Sequence, residues 1–235
     1  MRSRNWGMEF VWGMAFLSCV AGSAGADAAK PVYADRAPLA QYRIASAPEE
    51  IALARTAAPA SISDKAEVLV LGDHGYETAV KGDNGFACLV ERSWGAGFDD
   101  AEFWNPRVRS PICFNPAAVR TVVPAYLERT QWVLAGVSRQ DMNDRTKAEL
   151  AAGTLARPEP GAMCYMMSKR GHLSDANGQW HPHLMFFLAD TDAATWGANL
   201  EGSPVVAGRD GTVTIFMVPV ARWSDGTPAK MMEMH

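Results

Sequence analysis

Residues 67–92 read EVLVLGDHGYETAVKGDNGFACLVER, and this stretch decides the fold class. Glu67 to Leu71 is a short apolar run, Gly72-Asp73-His74-Gly75 a turn, and Tyr76 to Lys81 an alternating run. Gly82-Asp83-Asn84-Gly85 is a second turn and Phe86 to Arg92 a third strand-like run. Three such runs separated by glycine-bracketed turns predict a three-stranded β-meander.

Upstream, Ser46-Ala47-Pro48-Glu49 has capping-box spacing with proline in the first turn, so a short helix is expected over residues 46–57. Downstream, residues 93–114 lack periodicity and hold Trp94, Phe98, Phe103, Trp104 and Phe114, which reads as an irregular aromatic loop. Asn115-Pro116 caps a helix running toward Ala135, kinked or broken before Pro124 because that ring removes a backbone hydrogen bond. Ser138 opens another helix that Gly153 stops. The last third returns to strands over Ala162 to Ser168, His181 to Leu188, Pro204 to Ala207 and Thr212 to Val220, with a helical turn or two expected between Asp192 and Asn199. Grouped strands and helices, rather than strict alternation, predict an α+β domain. Its mainly antiparallel, twisted sheet has two principal helices, 116–135 and 139–152, packed on one side. The domain is expected over residues 46–228, after a flexible lead-in over 27–45 and before a frayed tail over 229–235 that ends in Met231-Met232-Glu233-Met234-His235.

The amino terminus indicates a compartment. Arg2 and Arg4 precede the apolar run Val11 to Ala21, and Ala24-Gly25-Ala26 offers a small-x-small cleavage pattern, so residues 1–26 read as a secretory leader. That run is about half of the roughly 20 residues a membrane span needs. Cys19 offers an alternative lipoprotein reading, which Phe16-Leu17-Ser18 weakens by placing leucine out of position. The expected location is therefore periplasmic or secreted, with no membrane segment once the leader is removed. A net charge of −4, with no block of like charges, gives no footprint for nucleic acid or an anionic membrane surface. The hydrophobic share of 48% excludes a mostly disordered chain.

Cleavage leaves Cys88, Cys113 and Cys164 in an oxidising setting. A Cys88–Cys113 disulfide would pin the aromatic loop to the sheet, leaving Cys164 as a thiol inside an apolar strand.

The segment His181-Pro182-His183-Leu184-Met185-Phe186-Phe187-Leu188 is the sharpest local feature. Alternation puts Pro182, Leu184, Phe186 and Leu188 on one face as core, and His181, His183, Met185 and Phe187 on the other. Two imidazoles and a thioether suit a soft ion, copper above all, and a paired neighbouring strand would add Cys164 and Met166. A structural histidine or a pocket wall is the competing reading. Cys164 with His183 is the only nucleophile–base pair that the coarse fold brings near each other. Asp99, Asp100 and Glu102 precede Phe103-Trp104, a composition found in sugar-binding loops, while Arg107, Arg109 and Arg120 either hold an anion or pair with those acids.

Taken in order, Asn84-Gly85-Phe86-Ala87-Cys88, Pro111-Ile112-Cys113-Phe114-Asn115, Ala162-Met163-Cys164-Tyr165-Met166 and Pro182-His183-Leu184-Met185 resemble a group of exported bacterial proteins to which no activity is assigned. The resemblance spans residues 66–220. It implies an exported single domain in which the counterparts of Cys88, Cys113 and His183 are fixed features. It also implies a serine or another small residue at position 164, which argues against a Cys164 nucleophile.

The expected function is an exported envelope protein that binds a small ligand or a partner protein, without a cofactor, in a pocket lined by His183, Met185, Tyr165 and Trp104. The alternatives are a copper or other soft-metal binder using His181, His183 and Met185, and a hydrolase with His183 as base.

Overall fold

The computed structural model describes residues 33–175, 180–210 and 213–229. The leader reading over 1–26 and the tail beyond residue 229 lie outside the described residues.

One eight-stranded sheet carries the fold, in the order β2-β1-β3-β4-β5-β6-β8-β7. Its strands are β1 (Glu67–Gly72), β2 (Gly75–Val80), β3 (Ala87–Glu91), β4 (Ser110–Phe114), β5 (Met163–Met166), β6 (His183–Ala189), β7 (Val205–Asp210) and β8 (Val213–Pro219). The helices are α1 (Leu39–Tyr42), α2 (Ala47–Arg55), α3 (Ala60–Ser63), α4 (Pro116–Thr121), α5 (Val123–Leu134) and α6 (Arg139–Ala152). The α+β class and the predominance of antiparallel pairing therefore hold.

The meander does not. β1 pairs with β2 antiparallel, but β3 lies on the other side of β1 and runs parallel to it, with Glu67 opposite Ala87 and Val68 opposite Cys88. The connection after β2 crosses close under the start of β1, where Asp83 N donates to Lys65 O at 3.0 Å and Glu67 N donates to Phe86 O at 2.8 Å. A Cβ at Gly82 would lie 2.1 Å from Glu67 N, so only glycine allows that crossing.

Residues 110–114, expected to close an irregular loop, instead form the central strand β4, buried at all five positions. Burial on both faces explains the continuous apolar run Pro111-Ile112-Cys113-Phe114, which lacks the alternation that marks a half-exposed strand. The expected helix 116–135 is two helices, broken at Val122 ahead of Pro124. Asn115 and Ser138 act as the N-caps read from the sequence, accepting from Ala118 N and Asp141 N.

The lead-in also holds structure. Tyr42, on α1, is 1% exposed, packs edge-on against Trp94 at 4.9 Å and donates to Trp104 O.

Opposed residues in adjacent strands share a face, and this sorts the sheet into two sides. One side carries Cys88, Val90, Cys113 and Tyr165, covered by Leu53, Ala54 and Ala57 around α2. The other carries Leu89, Ile112, Phe114, Cys164, Met166 and Phe187, covered by residues of α4 and α5. Between the layers, Arg92 and Glu50 form an ion pair at 2.9 Å with side chains 0% and 4% exposed. Arg92 Nε also donates to Tyr42 O at 2.6 Å, tying α1 and α2 to the end of β3.

Candidate functional site

Register brings the His-Met residues together. Met166 stands opposite His183, Cys164 opposite Met185, and Met185 opposite Met217. His183, Met166, Met185 and Met217 therefore share one face, and all four line a cavity of about 410 Å³ between that face and helices α5 and α6. The wall they form with Phe187 and Ile215 is apolar.

His183 is 5% exposed. Its Nδ1 lies 2.7 Å from the carbonyl of His181, which can only accept, so Nδ1 carries the proton and Nε2 keeps its lone pair. Trp180 stands edge-on to the ring at 5.3 Å and 89°. Burial lowers the imidazole's pKa, holding it neutral. No described residue hydrogen-bonds Nε2.

The remaining expected site residues are not together. His181 sits before β6 and serves His183 through its carbonyl, and its ring does not line the cavity. Tyr165 is on the opposite face, packed against Phe86 at 6.3 Å. Trp104 belongs to an aromatic cluster with Phe103, Trp94 and Tyr42. Neither Tyr165 nor Trp104 lines the cavity. The face of β6 expected to be core, with Leu184, Phe186 and Leu188, is only half-buried, and the histidine face is the more enclosed one.

Cys164 is fully buried against Met185, and burial pushes its thiol well above the ordinary range. No hydrogen bond joins it to His183, so the two do not form a nucleophile–base pair. The arginines do not pair with Asp99, Asp100 or Glu102. Arg107 contacts Asp175, Arg120 contacts Glu159, and Arg109 donates to the carbonyls of Pro106 and Val108. Glu102 accepts from Asn105 Nδ2 at 2.6 Å and from Asp175 N at 3.3 Å, which makes it a loop organiser.

The cavity has a second polar end that the sequence did not announce. Glu91, the last residue of β3, is 7% exposed and accepts a hydrogen bond from the Tyr126 hydroxyl on α5. Burial raises its carboxyl to about 7, with the Tyr126 hydrogen bond and the Arg129 charge acting against that rise. Its other oxygen receives no hydrogen bond from any described residue. A Cβ at Gly95 would lie 1.7 Å from Glu91 Oε1, so the carboxyl occupies space that only a glycine leaves open. Arg129 fixes the 93–97 loop, donating to Trp94 O at 3.2 Å and Ala96 O at 3.1 Å while its guanidinium lies 4.1 Å from the Phe98 ring centre. Ser93 is 1% exposed, and its Oγ has no partner among the described residues. The available signal was weak: a charged pair, Glu91-Arg92, directly after an apolar strand, and Tyr126 and Arg129 three apart on one helix face.

The chain matches no protein family, no curated protein and no solved structure. Among the described residues there is no group of three or more His, Cys, Asp and Glu side chains placed to hold a metal, and no helix long and apolar enough to cross a membrane.

The site is thus a mainly apolar chamber that Arg92, Asp100, Glu102, Arg129 and Arg209 also line, with acceptors at Glu91 on β3 and His183 on β6. Those strands are three intervals apart, roughly 14 Å at the usual strand spacing. Such an arrangement can enclose a small molecule and orient it by a few polar contacts.

Proposed function

We propose that this protein is an exported, envelope-located binder of a small, mainly apolar molecule, held in the cavity between the β3–β8 face and helices α5 and α6. The observation that carries the reading is the cavity itself: about 410 Å³, walled by Met166, Met185, Met217 and Phe187, with open acceptors at Glu91 and His183. Flexible thioethers suit a chamber that adapts to an apolar guest. Export is supported by the leader-like residues 1–26 and by the bonded pair Cys88–Cys113, since disulfides persist in oxidising compartments.

Titration with the uncharged fluorophore N-phenyl-1-naphthylamine tests this. Saturable one-to-one binding to the native protein is expected, and Met185→Trp, which fills the chamber, should weaken it at least tenfold. Absence of saturable binding, or binding indifferent to Met185→Trp, overturns the reading.

A second reading is favoured by the register. His183 Nε2 and the thioethers of Met166, Met185 and Met217 make a nitrogen–sulfur set suited to copper(I), with His181 now orienting His183 rather than binding metal. Elemental analysis of the purified protein decides it. Stoichiometric copper lost in His183→Ala supports a metal site, and equal traces in both proteins reject it.

A further inference from the structure

The Glu91 end of the cavity is built more completely than an apolar container requires. β3 supplies the carboxyl, α5 supplies the Tyr126 hydroxyl that holds one of its oxygens, and the loop after β3 supplies Ser93. Arg129 clamps that loop through two carbonyls, and Gly95 leaves the space the carboxyl fills. Two polar atoms remain unused there. Among the described residues, none donates a hydrogen bond to one Glu91 oxygen and none partners Ser93 Oγ, whose side chain is 1% exposed. A buried hydroxyl left unsatisfied carries the desolvation penalty with nothing to offset it, so its retention at a cavity wall points to a ligand group that completes it.

A group that satisfies both atoms must donate to the carboxylate and must either accept from or donate to the serine hydroxyl, which can play both roles. An alcohol or phenol hydroxyl does both. A protonated amine could donate to both atoms but would leave a charged N–H without a partner beside the methionine wall, and a carboxylate or phosphate would stand against Glu91. Resting on the cavity reading above, we infer that the ligand is an apolar molecule carrying a hydroxyl at one end, bound between Glu91 Oε2 and Ser93 Oγ with its hydrocarbon body against the methionine wall.

The probes are 2-naphthol and naphthalene, which share a body and differ by one hydroxyl, titrated into the native full chain at pH 8 by isothermal calorimetry and intrinsic fluorescence. The wild-type protein should bind 2-naphthol at least tenfold more tightly than naphthalene. In Glu91→Gln/Ser93→Ala the two affinities should converge, with that of naphthalene changed less than twofold. Should the double variant not fold by circular dichroism, Ser93→Ala alone decides, with a threefold or greater loss expected for 2-naphthol only. Equal wild-type affinities, or a preference that survives the substitutions, overturn the hydroxyl assignment while leaving the cavity reading standing. Binding of neither probe overturns the cavity reading and this inference with it.

Discussion

Cys88 and Cys113 stand directly opposite each other on β3 and β4, and their bond lies on the face turned away from Glu91 and Ser110, the last opposed pair of the same two strands. The covalent link and the candidate site thus share strands without sharing a surface. The bond closes the whole segment from the end of β3 through the aromatic loop, which includes Ser93 and Gly95.

That separation predicts that stability and binding respond differently to loss of the bond. With a sequence separation of 25, closure of such a loop stabilises by about 3–4 kcal/mol. Cys88→Ser/Cys113→Ser should lower the denaturation free energy by that amount, read from urea unfolding. The folded variant should keep its probe affinity within about threefold. A tenfold loss of affinity in the folded variant would show that the bond shapes the cavity directly. Thiol counting on the denatured, unreduced protein lacking residues 1–26 should find one thiol, Cys164. Three would mean that the bond does not form.

Glu50 and Arg92 give a second stability prediction. Both side chains are buried, and Arg92 further holds Tyr42 O and Val90 O. Replacing Glu50 with alanine strands the guanidinium in the core, and breaking one side of a buried pair costs about 3–5 kcal/mol. Thermal denaturation of Glu50→Ala should show a loss of that order. A change under about 1 kcal/mol would mean that water reaches Arg92.

The crossing between β2 and β3 is set by a single missing atom. Gly82→Ala would place its Cβ against Glu67 N at 2.1 Å and Ala66 C at 2.6 Å, both backbone atoms that cannot turn aside. A loss of about 3 kcal/mol is expected, whereas Gly153→Ser, at a helix end with nothing within 4 Å of a Cβ, should cost less despite its positive φ. Parallel urea titrations separate the two. Equal losses would show that the crossing is looser than these distances imply.

How much of this was legible in the sequence depends on whether the information was local. Turn glycines and the runs 67–71, 76–81 and 86–92 gave the first three strands, because each carries its own pattern. Their order did not follow, since the contact that reorders them, Gly82 against Glu67, is tertiary. β4 was hidden because burial on both faces erased its alternation. In the site, alternation along β5 and β6 was enough to join Met166 to His183, and the same parity sends Tyr165 to the far side of the sheet. Glu91 was missed for a different reason. A carboxyl after a strand reads as solvated until α5 is laid over it, and nothing local in 123–134 says which strand that helix covers.

Glu91 also makes a pH prediction, and its sign follows from the direction of its shift. The folded carboxyl titrates near 7 and the unfolded one in the ordinary range near 4.5, so the folded state binds the proton more tightly. Its contribution is fully present below the unfolded value and is lost as pH rises through 7, amounting to about 3 kcal/mol by linkage. Relative to a variant that lacks the carboxyl, the wild-type protein should therefore lose stability between about pH 5 and pH 8. Glu91→Gln keeps the shape and stays neutral, so it should lack this loss and exceed the wild type at pH 8. The lowered His183 imidazole, which both proteins share, takes stability from both alike as pH falls below about 6.5, so Glu91 is read from the difference between the curves. Asp175 does not confuse the comparison: Tyr33, His172 and Arg107 hold its carboxyl at about 2, so its stabilising effect is lost only as pH falls from about 4 toward 2. Urea midpoints at one-unit intervals from pH 5 to pH 8 read the difference. A wild-type curve parallel to that of Glu91→Gln would show that the carboxylate is stabilised in its ionised form, and that Glu91 is not enclosed as the cavity geometry requires.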